Sequence, residues 1–170
     1  MDGEQRREAI VAQLAQTKKP ISASKFAKEF GVSRQVIVGD IALLRAMGEE
    51  ILATARGYQK ETSQGMLERK IAVQHTAEQT KEELQTIVSL GGEVLDVIVA
   101  HEIYGEIHGN LHVQTLADVD KFIQSYEKSS NNLLSELTNG VHLHTIRYPD
   151  EATFEAIQQG LIEKGFLYQD

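Results

Sequence analysis

The sequence contains no cysteine, which excludes disulfide bonds, thiolate metal sites and a cysteine nucleophile. It also has no apolar run that approaches the roughly 18 residues of a membrane-spanning helix. The first ten residues, MDGEQRREAI, do not have the composition of a signal peptide. These absences predict a soluble cytoplasmic protein, in which histidine and carboxylate side chains have to bind any metal ion.

Charge is distributed unevenly along the 170 residues. Residues 1–60 contain ten Lys or Arg and seven Asp or Glu, a net charge of +3, whereas residues 61–170 carry −11. Opposite charges in the two halves favour contact of the first half alone with a polyanion such as DNA. The length accommodates either one large domain or two small ones.

Residues 1–62 have the pattern of a winged helix-turn-helix DNA-binding domain. Ser33 is placed to cap the third helix, and Gly31 supplies the sharp turn that precedes it. Two short strands around an Arg-Gly turn follow and form the predicted wing. The predicted helices span residues 4–16, 23–30 and 33–47, and the predicted wing strands span residues 51–53 and 57–59.

The third helix is predicted to enter the major groove of DNA. Arg34 and Gln35 lie in its first turn, and these side chain types pair with guanine and adenine respectively. The alternative is a protein-interaction module whose basic residues are solvated. The predicted buried stripe consists of Val36, Ile37, Ile41 and Leu44. The predicted DNA contacts are Ser33, Arg34, Gln35, Val38, Arg45 and Arg56.

Residues 68–170 are predicted to form an α+β domain, with helices on one face of a sheet. A polar linker, residues 60–68, joins it to the first domain. The element order is β-α-β-β-α-β-α-β. The predicted strands lie near residues 70–75, 94–100, 106–113, 142 and 166–168, and the predicted helices span residues 76–90, 116–126 and 151–163.

Four side chains of this domain are candidate metal ligands. His142 and His144 alternate along one strand and therefore share a face. His75 ends the first strand of the domain, and Glu83 lies about 40° from Ile87 on a helical wheel, within the inward sector of its helix. Three imidazoles and one carboxylate suit Zn, Ni, Fe and other first-row ions.

Other interpretations of these residues stay open. The histidine pair can be solvated, and Glu83 can form an ion pair with Lys or Arg. His108 and His112 are predicted to lie on the surface. His101 and Tyr104 are candidate contacts to a small-molecule ligand, although His101 can also simply form a hydrogen bond in a turn.

Three segments resemble the bacterial niacin-responsive transcriptional repressors, which join a winged helix-turn-helix to a domain named for its three histidines. The segments are VSRQVIVGDIALLRAMG, EELQTIVSLGGEVLDVIVAHEIYGEI and LTNGVHLHTI. Winged-helix proteins share the first segment widely, whereas the other two are more specific. Relatives typically carry Gln in place of Gly39 and Pro in place of Glu102.

The resemblance implies a homodimeric repressor of genes for niacin uptake and NAD synthesis, with nicotinic acid as co-repressor and double-stranded operator DNA as partner. It places the ligands of a divalent transition metal, Zn or Ni, on His75, Glu83, His142 and His144. Two alternatives remain at this point. One is a metal-dependent hydrolase with a DNA-binding appendage, and the other is a purely structural metal.

Overall fold

The computed structural model describes residues 1–61, 65–129 and 133–168. The chain divides into two compact units, residues 1–63 and 64–170. Part of the predicted linker, residues 62–64, lies outside the described residues. Among the helices in the described part, none combines the length and the apolar composition needed to cross a membrane.

The first unit contains three helices followed by a two-stranded antiparallel sheet. The side chain of Ser22 caps the second helix and that of Ser33 caps the third, each by accepting a backbone N–H. Gly31 ends the second helix in the left-handed conformation. The elements are α1 (Gly3–Gln16), α2 (Ala23–Phe30), α3 (Arg34–Ala46), β1 (Ile51–Thr54) and β2 (Gly57–Lys60).

The packing of α3 corrects one expectation. Val36 is 39% exposed and does not belong to the buried stripe, whereas Val38 is half-buried and packs against the core of this unit. Asp40 takes the place of Val36 on the inner face, because Arg6 and Arg7 of α1 hold its carboxylate. The ion pair makes a polar residue tolerable at a buried position and fixes α3 against α1.

The second unit contains a four-stranded antiparallel sheet of order β3-β6-β4-β5. The helix predicted over residues 76–90 begins as a 3₁₀ helix, Ala77–Gln79, and becomes α-helical only at Thr80. A second 3₁₀ helix, Leu134–Thr138, was not predicted. The predicted last strand forms a single bridge, between Leu167 and Val73 of β3. The elements are β3 (Leu67–Gln74), α4 (Thr80–Ser89), β4 (Glu93–His101), β5 (Gly105–Val113), α5 (Leu116–Lys128), β6 (Val141–Tyr148) and α6 (Glu151–Glu163).

The core of the second unit lies between one face of this sheet and its three α-helices. Leu84 of α4, Val119 of α5 and Phe154 of α6 all belong to one cluster with the inward residues of the strands. The α+β class with helices on one face is therefore confirmed. The histidine-bearing strand β6 is central in the sheet, and α4 covers it.

Candidate metal centre and DNA-binding surface

The four predicted metal ligands come together between β6, α4 and the end of β3. Alternation along β6 directs His142 and His144 to the same face as the core residue Ile146. Glu83 lies in the first turn of α4, and His75 follows directly after β3. All four are buried, and Glu83 has no exposed surface at all.

The carboxylate of Glu83 is the centre of this cluster. Its Oε1 lies 2.5 Å from Nε2 of His144, and its Oε2 lies 3.5 Å from Nε2 of His142. Nε2 of His75 also contacts Oε2. The Nε2 atoms of His142 and His144 are 3.1 Å apart. One nitrogen from each of three rings therefore faces one carboxylate.

Each imidazole is held in one tautomer by a backbone carbonyl. Nδ1 of His75 lies 2.7 Å from the carbonyl oxygen of Thr76, and Nδ1 of His142 lies 2.9 Å from that of Gly140. Nδ1 of His144 lies 2.7 Å from the carbonyl oxygen of Asp96. A carbonyl oxygen only accepts, so each Nδ1 carries the proton, and in the neutral ring each Nε2 presents a lone pair.

Three lone pairs and a carboxylate repel one another unless a positive charge lies among them. Nε2 of His75 and both oxygens of Glu83 are buried, and none makes a hydrogen bond of ordinary geometry with another described residue. Carbonyl-fixed imidazoles with free Nε2 atoms are the usual surroundings of a bound metal ion. One ligand atom each from His75, Glu83 and His142 lies within 4.8 Å of the others. The donor set and its geometry therefore fit a first-row divalent ion.

The pKa values of the cluster are set by burial and by mutual charge. Burial alone would raise the pKa of the Glu83 carboxyl, but the imidazoles around it, His144 foremost, hold that pKa far below its ordinary value. For His144, burial is opposed by the charge of Glu83, and the pKa is raised. For His75, burial dominates and the pKa is lowered. The carboxylate is therefore ionised at neutral pH.

Gly140 brings two of the ligands together. Its φ of +88° is in the left-handed region, and a Cβ atom at this position would collide with the carbonyl oxygen of His75. The carbonyl of Gly140 also accepts the Nδ1–H of His142. A side chain at position 140 would therefore separate the end of β3 from the start of β6.

Asp96 supports His144 in a way that the sequence pattern did not indicate. Besides the contribution of its carbonyl, its carboxylate accepts both the backbone N–H and the hydroxyl of Thr145, each at 2.8 Å. These bonds fix β4 against β6 at the position of the metal cluster. A backbone carbonyl from a strand 48 positions away gives no local signal in the sequence.

Two cavities adjoin the cluster. The first, of about 30 Å³, is mostly apolar and includes all four candidate ligands in its lining. The second is a cleft of about 450 Å³, which His75 also lines. The first cavity is additionally lined by Thr80, Leu84, Val97, Leu111, Phe122, Leu133, Leu134 and Ser135.

The remaining histidines lie elsewhere. His101 and Tyr104 stack on each other at the tip of the β4–β5 hairpin, with ring centroids 5.1 Å apart, and neither is among the residues that line the two cavities of the metal cluster. His101 Nδ1 accepts backbone N–H groups in the turn. His108 is exposed as predicted, whereas His112 is buried beside Glu93, so the predicted surface position of His112 is wrong.

The predicted DNA contacts lie along α3, from its cap Ser33 to Arg45 in its last turn, and in the wing. Arg34, Gln35 and Arg45 are exposed. Arg34 and Arg56 line one cleft of about 250 Å³, between α2, α3 and the wing. Ser33 caps α3 through its side chain oxygen, which leaves its hydroxyl proton available to a phosphate. Val38 differs from these residues, because its side chain is partly buried and packs against the core of this unit.

Comparison with known proteins identifies a family for each of the two domains. A family model of an HTH domain matches residues 6–59, and a model of the 3H domain matches residues 68–170. The chain is 45% identical to the probable transcription repressor NiaR of Thermotoga maritima, across 98% of this chain and 95% of that protein. It is 40% identical to the transcription repressor NadR of Bacillus subtilis, across 99% of this chain and 96% of that protein.

These matches confirm the resemblance to the niacin-responsive repressors along nearly the whole chain. They also decide between a regulator and a hydrolase, because both relatives are named as transcription repressors. The chain therefore belongs to the repressor family that joins a helix-turn-helix domain to a 3H domain, and it is a DNA-binding transcription repressor and not an enzyme.

Proposed function

We propose that this repressor binds one divalent transition metal ion, Zn or Ni, through His75, Glu83, His142 and His144, and that it uses nicotinic acid as co-repressor. Its targets are genes for niacin uptake and NAD synthesis, and it acts in the cytoplasm as a homodimer on operator DNA. The observation that carries the metal proposal is the convergence of three Nε2 lone pairs on the buried carboxylate of Glu83.

The residues of this chain prepare the site before any ligand arrives. Thr76, Gly140 and Asp96 hold the three rings through their carbonyl groups, so that the Nε2 atoms stay directed inward. Glu83 stays ionised because of the imidazoles around it. A divalent ion bound here would supply a fixed positive charge, and an ion that accepts more than four ligands would also offer a coordination position to a ring nitrogen or a carboxylate.

In the first domain, we propose that α3 reads the operator. Arg34 and Gln35 would contact base edges, while Ser33, Arg45 and Arg56 would contact phosphates. Val38 is kept only as a partial contact, since the core covers part of it. A dimer presents two such helices to two half-sites, one helical turn of DNA apart or a multiple of that distance.

The coupling between nicotinic acid binding and DNA binding is an equilibrium effect. Nicotinic acid can strengthen DNA binding only if it binds the DNA-competent geometry of the dimer more tightly than the alternative geometry. By linkage, DNA then strengthens nicotinate binding by the same factor. A tenfold effect requires a difference of about 1.4 kcal/mol between the two geometries.

A DNA-binding titration tests this function. The nickel-loaded full chain is titrated against a duplex selected from a random library, with and without nicotinic acid. We expect at least a tenfold tighter complex when nicotinic acid is present, and a smaller effect of nicotinamide. Equal affinity with and without nicotinic acid would overturn the co-repressor proposal. Equal metal content in wild type and His142→Ala would overturn the metal proposal separately.

A further inference from the structure

The hydroxyl group of Thr80 is buried without a hydrogen bond in the part of the chain that the structure describes. Thr80 is the first residue of α4, one turn before Glu83, and it is 7% exposed. Its Oγ1 is buried and has no hydrogen-bond partner among the residues that the structure describes. A buried hydroxyl in this state is unfavourable, so a hydrogen-bond acceptor supplied by a bound ligand would stabilise it.

The surroundings of Thr80 define the chemistry of that partner. Thr80 lines the small cavity together with the four candidate metal ligands, and these side chains supply most of its polar groups. Leu84 and Phe122 belong to the walls, which are otherwise mostly apolar. A flat ring with one anionic group at its end matches this arrangement, since the ring contacts apolar walls while the anion meets a donor.

The larger cleft beside His75 is a poorer site for an anion. Glu78 and Glu136 line it, and none of the described residues around it is a lysine or an arginine. A carboxylate ligand placed there would be repelled by both side chains. The small cavity also contains the ionised carboxylate of Glu83, but the three imidazoles and a divalent ion bound among them would offset that charge. With the metal in place, the electrostatics therefore favour the apolar cavity, although the cleft has more room.

We propose that the cavity between α4 and the 3₁₀ helix Leu134–Thr138 binds an aromatic monocarboxylate, and that the hydroxyl of Thr80 donates a hydrogen bond to its carboxylate. This inference rests on the proposed function, in which nicotinic acid is the co-repressor. The ring lies against Leu84 and Phe122, and the carboxylate lies beside the hydroxyl of Thr80. A hydroxyl bonded to an anion forms a stronger hydrogen bond than one bonded to a neutral acceptor.

Ligand entry requires the cavity to grow. Its volume of about 30 Å³ accommodates little more than a water molecule, whereas small-molecule pockets begin near about 300 Å³. Leu133, Leu134 and Ser135 form one wall, and two of these residues belong to a 3₁₀ helix of five residues. Hydrogen bonds in such a helix have poorer geometry than those of α4 or the sheet, so this wall yields first.

Two substitutions at one position test the role of Thr80. Thr80→Val removes the hydroxyl and keeps the shape, while Thr80→Ser keeps the hydroxyl. Calorimetry on the nickel-loaded full chain measures the affinity for nicotinic acid, and chelator competition measures the affinity for nickel. We expect Thr80→Val to weaken nicotinate binding about tenfold or more. Its nickel affinity should be unchanged, and its unfolding temperature without nicotinate should be equal or higher. Thr80→Ser should bind nicotinate like the wild type.

The outcomes separate this inference from the function on which it rests. Wild-type nicotinate affinity in Thr80→Val overturns the role of Thr80 and leaves the co-repressor proposal intact. Equal weakening of nickel and nicotinate binding in both variants also overturns the role of Thr80, because the effect then comes from disturbance of the metal cluster. No binding of nicotinate by the nickel-loaded wild type overturns the proposed function and this inference together.

Discussion

The Nε2 atoms of His142 and His144 face each other at 3.1 Å on one side of β6, while each ring donates its Nδ1–H to a carbonyl oxygen. Two neutral imidazoles cannot form a hydrogen bond through two lone pairs. Their approach is favourable only with a cation or an added proton between them and the carboxylate of Glu83.

Replacement of the central carboxylate tests its role as a ligand. Glu83→Gln keeps the shape of the side chain and removes its charge, so we expect the affinity for nickel or zinc to fall by at least about a hundredfold. Competition with a chromophoric chelator measures this loss. The matched control is Glu82→Gln, since the neighbouring Glu82 is exposed and pairs with Lys164. If both variants bind metal like the wild type, Glu83 is not a metal ligand.

The affinity for metal should decrease as the pH falls. Protons and the metal ion compete for the same Nε2 atoms, and His144, whose pKa is raised above 6.5, is protonated before His75, whose pKa is lowered. Glu83 stays ionised throughout, because its pKa is lowered from 4.5. Calorimetric titrations with zinc between about pH 8 and pH 5 should show a loss that begins above the ordinary histidine pKa, where His144 takes up a proton, and continues below it, where His75 does. Release that begins only under conditions acidic enough to protonate a carboxylate would contradict this assignment.

Gly140→Ala should damage both the second domain and its metal site. The left-handed φ costs an alanine about 1–2 kcal/mol, and the collision with the carbonyl of His75 adds to this cost. Thermal or denaturant unfolding measures the stability, and chelator competition measures the metal affinity. Gly165→Ala is the matched control, because Gly165 has a φ of +74° and no described atom within 4 Å of an added Cβ. Equal losses in the two variants would show that the contact between residues 140 and 75 is unimportant.

The DNA-binding residues should separate into two groups by the effect of their removal. Gln35→Ala should relax base preference at one operator position by about 1–3 kcal/mol, whereas Arg45→Ala should weaken binding to all sequences and reduce the salt slope by about one. Binding measured against a set of single-base operator variants at several salt concentrations distinguishes these effects. Lys18→Ala, in the turn between α1 and α2, is the control of equal charge. Unchanged preference in Gln35→Ala would remove this residue from the base-reading group.

Much of the metal cluster was predictable because local periodicity determines it. The alternation of β6 places His142 and His144 on one face, and the helical period places Glu83 inward. Two features were not predictable, because they depend on which segments become neighbours in the folded domain. They are the buried Thr80 hydroxyl, which has no hydrogen-bond partner among the described residues, and the carbonyl of Asp96 that holds His144.

Contacts between distant segments also explain why the buried face of α3 was predicted incorrectly. Val36 and Asp40 lie on α3 within about 40° of each other on a helical wheel, so hydrophobicity alone favours a buried Val36. The carboxylate of Asp40 is buried instead, because Arg6 lies 34 positions earlier in the chain and pairs with it across the helix interface. Long-range ion pairs of this kind have no signature in a local pattern.

Titration of the chelator-treated full chain with zinc or nickel shows whether the three histidines and Glu83 bind a metal ion. We expect one ion per chain, nitrogen-rich coordination in the X-ray absorption spectrum, and loss of binding in His142→Ala and His144→Ala. Wild-type protein that binds neither ion, or that binds one with equal affinity after both histidines are removed, would contradict the metal proposal.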